Sequence, residues 1–254
     1  MKKILTIFGA VMMCLTSTAA TTIKADVPET VLNADYRTMP ISSGMSRTER
    51  HVREAAVKVS RLNGGHGSGS LIDYEGSQFV ITAQHVANGG LGSVYIISKG
   101  AQNKIAILVH GDPLNDIAVL WMSEAEQLSG VRPMPWRPVE NLPDVGTRIN
   151  YSGHPSSHSL LSFRGSIAGY ETHPEAGQQI ILNVFGWFGS SGSVIYNESG
   201  RIVGVLWGVD VDYYRGQPQV NEGIVWVSPI QNLDMALALA PLCGQIPDEV
   251  SACK

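Results

Sequence analysis

Residues 186–195 read GWFGSSGSVI. Two serines lie between glycines, with Trp187 and Phe188 before them and a β-branched run after. Taken alone, Gly-Ser-Ser-Gly is turn or linker composition. Here it is set between two strand-like runs, QQIILNVF (178–185) and GSVIYN (192–197), so sheet would hold the turn on both sides. Glycine two positions before Ser191 permits a turn that aims the amides of Gly189 and Ser191 at one point, where they could bind a developing oxyanion. Gly192 then clears space beside the hydroxyl. For Ser190 the spacing fails, because glycine stands only one position before it and serine after it. Ser191 is therefore the candidate nucleophile.

A serine hydroxyl is weakly nucleophilic at neutral pH and needs a base within hydrogen-bond reach and a group that fixes that base's tautomer. In FVITAQHVANGG (79–90), His85 stands where the chain leaves a buried-looking strand. A lone histidine there is ordinarily structural. In GDPLNDIAVLWM (111–122), Asp116 opens an apolar run, so its carboxylate would be partly buried and would need a partner. Asp112 is the competitor, but its Gly/Pro turn suggests a solvated side chain. What lifts the three residues above chance is their chain order and their setting among strands.

Working outward, short β-branched runs separated by turn signals such as NGGHG, EGS and NGGLGS indicate antiparallel sheet closed into a sandwich or barrel. A first β unit is expected over 51–128, a proline-rich connector over 129–145, and a second unit over 146–228. Residues 229–254 should form a helix and tail. Ser228 would cap that helix, Pro229 would take its first position, Gln231 would complete a capping box and Pro241 would stop it. Residues 26–50 are non-periodic and read as an arm or pro-segment.

The blocks GSGSLI (67–72), ITAQHV (81–86), NDIAVL (115–120), GSSGSVIYNESGRIVGVLWG (189–208) and EGIVWVSPI (222–230) together resemble the successive motifs of chymotrypsin-like serine peptidases. The likeness spans roughly residues 54–240. Its compact interval between His85 and Asp116 is similar to bacterial members, the high-temperature-requirement and glutamyl endopeptidase groups. The resemblance implies an all-β fold of two packed six-stranded antiparallel barrels with a C-terminal helix. It implies His85, Asp116 and Ser191 as catalytic residues, Gly189 and Ser191 as the oxyanion hole, and a polypeptide substrate without cofactor or metal. Phe185, Leu206, Trp207 and Gly208 fall where substrate is bound, with Phe185 at the floor of the specificity pocket. Leu206 stands where glutamyl endopeptidases place a histidine, which favours an apolar side chain before the scissile bond. Digestive members carry an aspartate before the nucleophile that pairs with a new N-terminus. Here that position is Ser190, so competence without such cleavage is expected.

Other features bound the function. MKK followed by ILTIFGAVMMCL and a small polar stretch has the anatomy of a secretory signal over residues 1–25, with cleavage after Ala19, Ala20 or Ala25. Its removal takes Lys2, Lys3 and Lys24 and no acid, leaving 15 basic against 22 acidic residues and a net charge of −7. Such a chain has no bulk electrostatic reason to bind nucleic acid or anionic lipid. A secreted or periplasmic monomer is expected. Cys243 and Cys253, ten positions apart in an exported chain, suggest a disulfide. His154 and His158 are spaced i, i+4, but GHPSSHS (153–159) is a loop, so the spacing does not imply a metal site. His66 should face solvent, and Trp187 and Phe188 either line the substrate cleft or, the preferred reading, close barrel packing. A silent peptidase-like binding protein and an ester-cleaving acyl hydrolase both remain open on the same residues.

Overall fold

The computed structural model describes residues 44–254. The expected signal and nearly all of the expected arm lie outside these residues. Thirteen strands and two α-helices make up most of the rest.

The first barrel comprises β1 (Ala56–Arg61), β2 (His66–Tyr74), β3 (Ser77–Thr82), β4 (Val94–Lys99), β5 (Gln102–Asp112) and β6 (Ile117–Trp121). They pair antiparallel in the order β1-β4-β5-β6-β3-β2, and a further β1–β2 pairing closes the ring. The second barrel closes in the order β10-β13-β12-β11-β8-β9. Its strands are β8 (Arg148–Gly153), β9 (Leu161–His173), β10 (Gly177–Asn183), β11 (Val194–Asn197), β12 (Ile202–Tyr214) and β13 (Gln217–Pro229). Two six-stranded barrels are what the resemblance implies; the β runs alone indicate a sandwich or barrel. Leu71, Val80, Ile97 and Leu120 lie buried on one face of the first barrel's sheet and Phe79 and Ile81 on the other; Tyr151, Ile167 and Tyr196 are buried residues of the second barrel's strands.

The connector is pinned rather than loose. Within it β7 (Met134–Pro135) adds in parallel to β2, and beyond it Val139 N donates to the Ile202 carbonyl while Ile202 N donates to the Arg137 carbonyl, tying the crossing segment to the second barrel. The barrels also meet through polar groups: the hydroxyls of Ser70 and Tyr196 are 2.8 Å apart in a fully buried pair.

Two expectations change. Residues Arg47–Ala55 form helix α1, which straddles the boundary expected at residue 50. Ser46 and Glu49 make a reciprocal capping box, and Val52 and Ala55 are buried. The Ser-x-x-Glu signal was present in the sequence, inside the stretch read as an arm. The helix ties the barrels together: Arg53 donates to Ser162 of β9, Glu49 pairs with Arg164, and Lys99 of β4 donates to the carbonyls of Arg53 and Ala56 at the helix end.

The C-terminal helix also begins later than expected. Ser228 does not cap it; Ser228 pairs with Val205 inside β13, and its hydroxyl donates to the Asn115 carbonyl. After a single 3-10 turn at Ile230–Asn232, helix α2 runs Met235–Cys243 with Asp234 as its cap, accepting from Leu237 N at 3.1 Å. Pro241 lies inside α2 instead of stopping it. The bond that it forgoes would belong to Leu237, on the exposed face. Cys243 and Cys253 are disulfide-bonded, as the sequence suggested.

Candidate active site

The site begins with two neighbouring strands. β3 ends at Thr82 and β6 starts at Ile117, in antiparallel register with Thr82 opposite Ala118. Residues just after β3 therefore lie beside residues just before β6. Gln84 N donates to the Asp116 carbonyl, and the chain then makes one turn in which Val86 N and Ala87 N return to the Ala83 carbonyl. That turn carries His85. Asp116 adopts φ +52°, a left-handed conformation that aspartate tolerates better than most residues.

Both Asp116 carboxylate oxygens are engaged by His85. Oδ1 accepts from the His85 backbone amide at 2.7 Å, and Oδ2 from Nδ1 at 2.5 Å. With the carboxylate side chain 15% exposed and the imidazole 38%, the proton is held on Nδ1 and the other ring nitrogen, Nε2, is left as an acceptor. Asp112 satisfies its own turn by accepting from Leu114, Asn115 and the Asn115 side chain. The choice of Asp116 over Asp112 thus follows from which carboxylate reaches the imidazole.

His85, Asp116 and Ser191 border one cleft of about 570 Å³ between the barrels. Ser191 Oγ makes no hydrogen bond among the described residues, to His85 or to any other group. Catalytic bonds commonly close only when substrate is present.

The backbone around Ser191 is held carbonyl by carbonyl. The Phe188 carbonyl accepts from Ser156 N (2.7 Å), the Gly189 carbonyl from Ser68 Oγ (2.7 Å), the Ser190 carbonyl from Ser193 N (3.0 Å) and the Ser191 carbonyl from Ser68 N (2.8 Å). In a trans peptide the next N–H points opposite to the carbonyl. The amides of Ser190, Gly192 and Ser193 are consumed by Trp187 O, Leu206 O and Ser190 O. Those of Gly189 and Ser191 have no partner among the described residues. These two are the donors that the Gly-x-Ser spacing singled out. Gly192, at φ +89°, leaves no alternative to glycine: an added Cβ would lie 2.1 Å from the Ser68 carbonyl and 2.2 Å from Thr82 Oγ1.

The rest of the predicted site divides. Leu206, Trp207 and Gly208 line the cleft. A bulge between Leu206 and Gly208 leaves Trp207 without a partner on β13, and β11 pairs β12 only up to Val205. From Trp207 onward the cleft-facing edge of β12 therefore has no strand beside it. The Trp207 indole is fixed by Nε1 donating to the fully buried Gln179 at 3.0 Å. Phe185 does not line the cleft. Its ring stacks on Phe163 with centroids 5.3 Å apart, and Tyr151 donates to its carbonyl, so it packs on the Tyr151–Phe163 face of the β8–β9 ladder. Gly186, next to it, faces Val225 and Val209 instead. Trp187 and Phe188 border the cleft, the less favoured of the two readings of these residues. His66 is half-buried rather than solvent-facing, its Nε2 bonded to the His154 carbonyl at 3.3 Å.

The sequence reading missed Ser68, Tyr151 and the 154–158 turn. In that turn Ser156 and Ser157 both have positive φ, and burial holds the His154 imidazole down at about 4. Its Nδ1 faces the His158 carbonyl, and its Nε2 is buried without a partner among the described residues.

Two six-stranded barrels with an imidazole–carboxylate pair and a serine on their shared cleft define a chymotrypsin-like serine endopeptidase in class. Residues 67–205 match the family model described as a trypsin-like peptidase domain, and the chain belongs to that family. No match is found among curated protein sequences. Among solved structures it is similar to the active form of the Rv3671c protease from M. tuberculosis, at 18% identity and TM-score 0.56 over 80% of this chain and 84% of that one. It is also similar to the HtrA-type protease AlgW with a tripeptide (18%, TM-score 0.59, 78% of this chain and 62% of that one). A serine endoprotease from Yersinia pestis gives 21% identity and TM-score 0.56 over 80% of this chain and 66% of that one.

Proposed function

We propose that this protein is an exported serine endopeptidase that cleaves polypeptides through His85, Asp116 and Ser191 and an acyl-enzyme. The observation that carries the reading is the conjunction at one cleft: Nδ1 of His85 committed to Asp116, Ser191 on the facing wall, and two amides beside it without partners. His85 Nε2 removes the Ser191 proton as Oγ bonds to the scissile carbonyl carbon. The oxyanion is received by Gly189 N and Ser191 N, each such donor contributing on the order of 3 kcal/mol. The imidazolium, stabilised by Asp116, gives its proton to the leaving nitrogen as the C–N bond breaks. Water, deprotonated by His85, then attacks the acyl carbon and releases Ser191.

Substrate would add as an extended strand along the open edge at Trp207 and Gly208, with backbone bonds giving affinity. Leu206, Val209 and Trp187 on the cleft wall favour an apolar side chain before the scissile bond. The N-terminal signal anatomy and the disulfide support export, and we take the working form to be a monomer.

The test is labelling by a fluorophosphonate, expected for the natural chain and Ser190→Ala and lost in Ser191→Ala. Parallel turnover of unbiased peptide and ester libraries separates a peptidase from an acyl hydrolase. The absence of a Ser191–His85 hydrogen bond among the described residues is what a silent binding protein would retain; absence of labelling in folded protein would favour that reading.

A further inference from the structure

We propose that Ser68 is the positioning residue that sets the oxyanion hole, replacing with a neutral buried hydroxyl the charge that a cleaved N-terminus would otherwise supply. The inference rests on the peptidase reading above and assigns how that site is kept competent.

Four consecutive carbonyls, from Phe188 to Ser191, are held around the nucleophile. The free amides of Gly189 and Ser191 belong to the 188–189 and 190–191 peptides, whose carbonyls Ser156 N and Ser193 N hold. The adjoining 189–190 and 191–192 peptides, the other two of these four, must be fixed for that pair to keep its orientation. Ser68 alone supplies two of the four donors, its Oγ to Gly189 and its N to Ser191. A third carbonyl depends on it at one remove. Ser68 Oγ accepts from His154 N at 2.8 Å, and His154 opens the turn whose Ser156 N holds Phe188. The hydroxyl thus donates once and accepts once, leaving no other orientation that satisfies both partners.

Ser68 is suited to this by its surroundings. It is fully buried, so no solvent competes for either bond. It is in the middle of the β1–β2 ladder, opposite Lys58, so its backbone is fixed by the first barrel while its partners belong to the second. Glycines make the approach possible: a Cβ on Gly67 would lie 2.8 Å from the Ser191 carbonyl, and one on Gly153 would lie 2.8 Å from Ser68 Oγ. Gly189 itself, at φ +93°, has the freedom to rotate its flanking peptides once a clamp is lost. Rotation of the 188–189 peptide would place a carbonyl where a donor is required. At the position before the nucleophile, Ser190 is also fully buried and uncharged. No ionic clamp is therefore available from the loop's own side chain.

The test uses the full chain with Ser68→Ala and Ser68→Cys, a peptide anilide substrate, a peptide boronate that forms a tetrahedral adduct on Ser191, and a product-like peptide. For Ser68→Ala we expect kcat to fall about 10- to 100-fold with KM within about twofold. Boronate affinity should fall by the same factor, while the product-like peptide binds as before. Ser68→Cys, which keeps a weak donor of similar size, should recover part of the loss. Should Ser68→Ala not fold, the same measurements on Ser68→Cys decide. Unchanged kcat, or a loss of kcat without loss of boronate affinity, overturns the assignment. A natural chain that neither hydrolyses peptide nor is labelled overturns the peptidase reading and this inference with it. An active natural chain with an indifferent Ser68 variant overturns this inference alone.

Discussion

His154 offers the sharpest test of the energetics, because its substitution should change how stability depends on pH rather than only its level. Desolvation by burial is the main reason its pKa falls from 6.5 to about 4, with Lys99, Lys58 and His66 adding smaller repulsions and the His158 carbonyl opposing them. Between these values an unfolded chain binds a proton at this ring and the folded chain does not. Stability contributed here is therefore full above pH 6.5 and is lost as pH falls toward 4. Each tenfold in proton affinity is worth about 1.4 kcal/mol, so the total is about 3 kcal/mol. Asparagine is the informative replacement: its amide can donate to the His158 carbonyl as Nδ1–H does, and it does not titrate. Urea unfolding of the natural chain and His154→Asn, from pH 8 to pH 3.5, should show the natural chain losing about 3 kcal/mol more than the variant, mostly below pH 6.5. The other histidines with lowered pKa values, His51, His66 and His110, titrate in both proteins and largely cancel in the difference. Parallel curves across this range would refute the burial argument.

Three further outcomes follow from geometry. Asp116→Asn should fold but lose about 10⁴-fold in kcat at neutral pH, because the amide no longer fixes the Nδ1–H tautomer; steady-state kinetics beside circular dichroism checks this. Gly192→Ala drives a methyl against the Ser68 carbonyl at a positive φ, and should cost at least about 3 kcal/mol in thermal or urea unfolding while abolishing fluorophosphonate labelling. Reducing the Cys243–Cys253 bridge opens a short loop, and chain entropy puts its contribution at about 2–3 kcal/mol, read as a fall in Tm on adding reductant.

How far the sequence carried the reading depended on how local each signal was. The strands were legible because β-branched runs and glycine turns report them directly, while their closure into two barrels rested on the resemblance. The pairing of His85 with Asp116 also rested on the resemblance, since nothing local in either segment shows that β3 and β6 lie side by side. Helix α1 was legible in principle, since Ser46 and Glu49 form a capping box, but it was hidden in a stretch without longer periodicity. The C-terminal apolar stripe misled because its first residues were claimed by the β12–β13 register and by the bond from Ser228 to Asn115, which lies 113 positions away. Phe185 was misplaced for a related reason. Counting back from the nucleophile gives a position along the chain, whereas the ring's direction is decided by Phe163 and Tyr151 on other strands. The clamps on the 188–191 carbonyls were illegible altogether, because a bond between a hydroxyl and a carbonyl 121 positions apart leaves no pattern in either segment.

The fixed indole of Trp207 carries a practical consequence. Held by Gln179, at the open edge where a polypeptide would lie, and with its ring centroid 5.8 Å from that of Trp226, it is a fluorophore whose solvent shell an arriving chain would strip. Occupancy can then be followed by emission alone, without dye or chromogenic leaving group, even in a Ser191→Ala protein that turns nothing over.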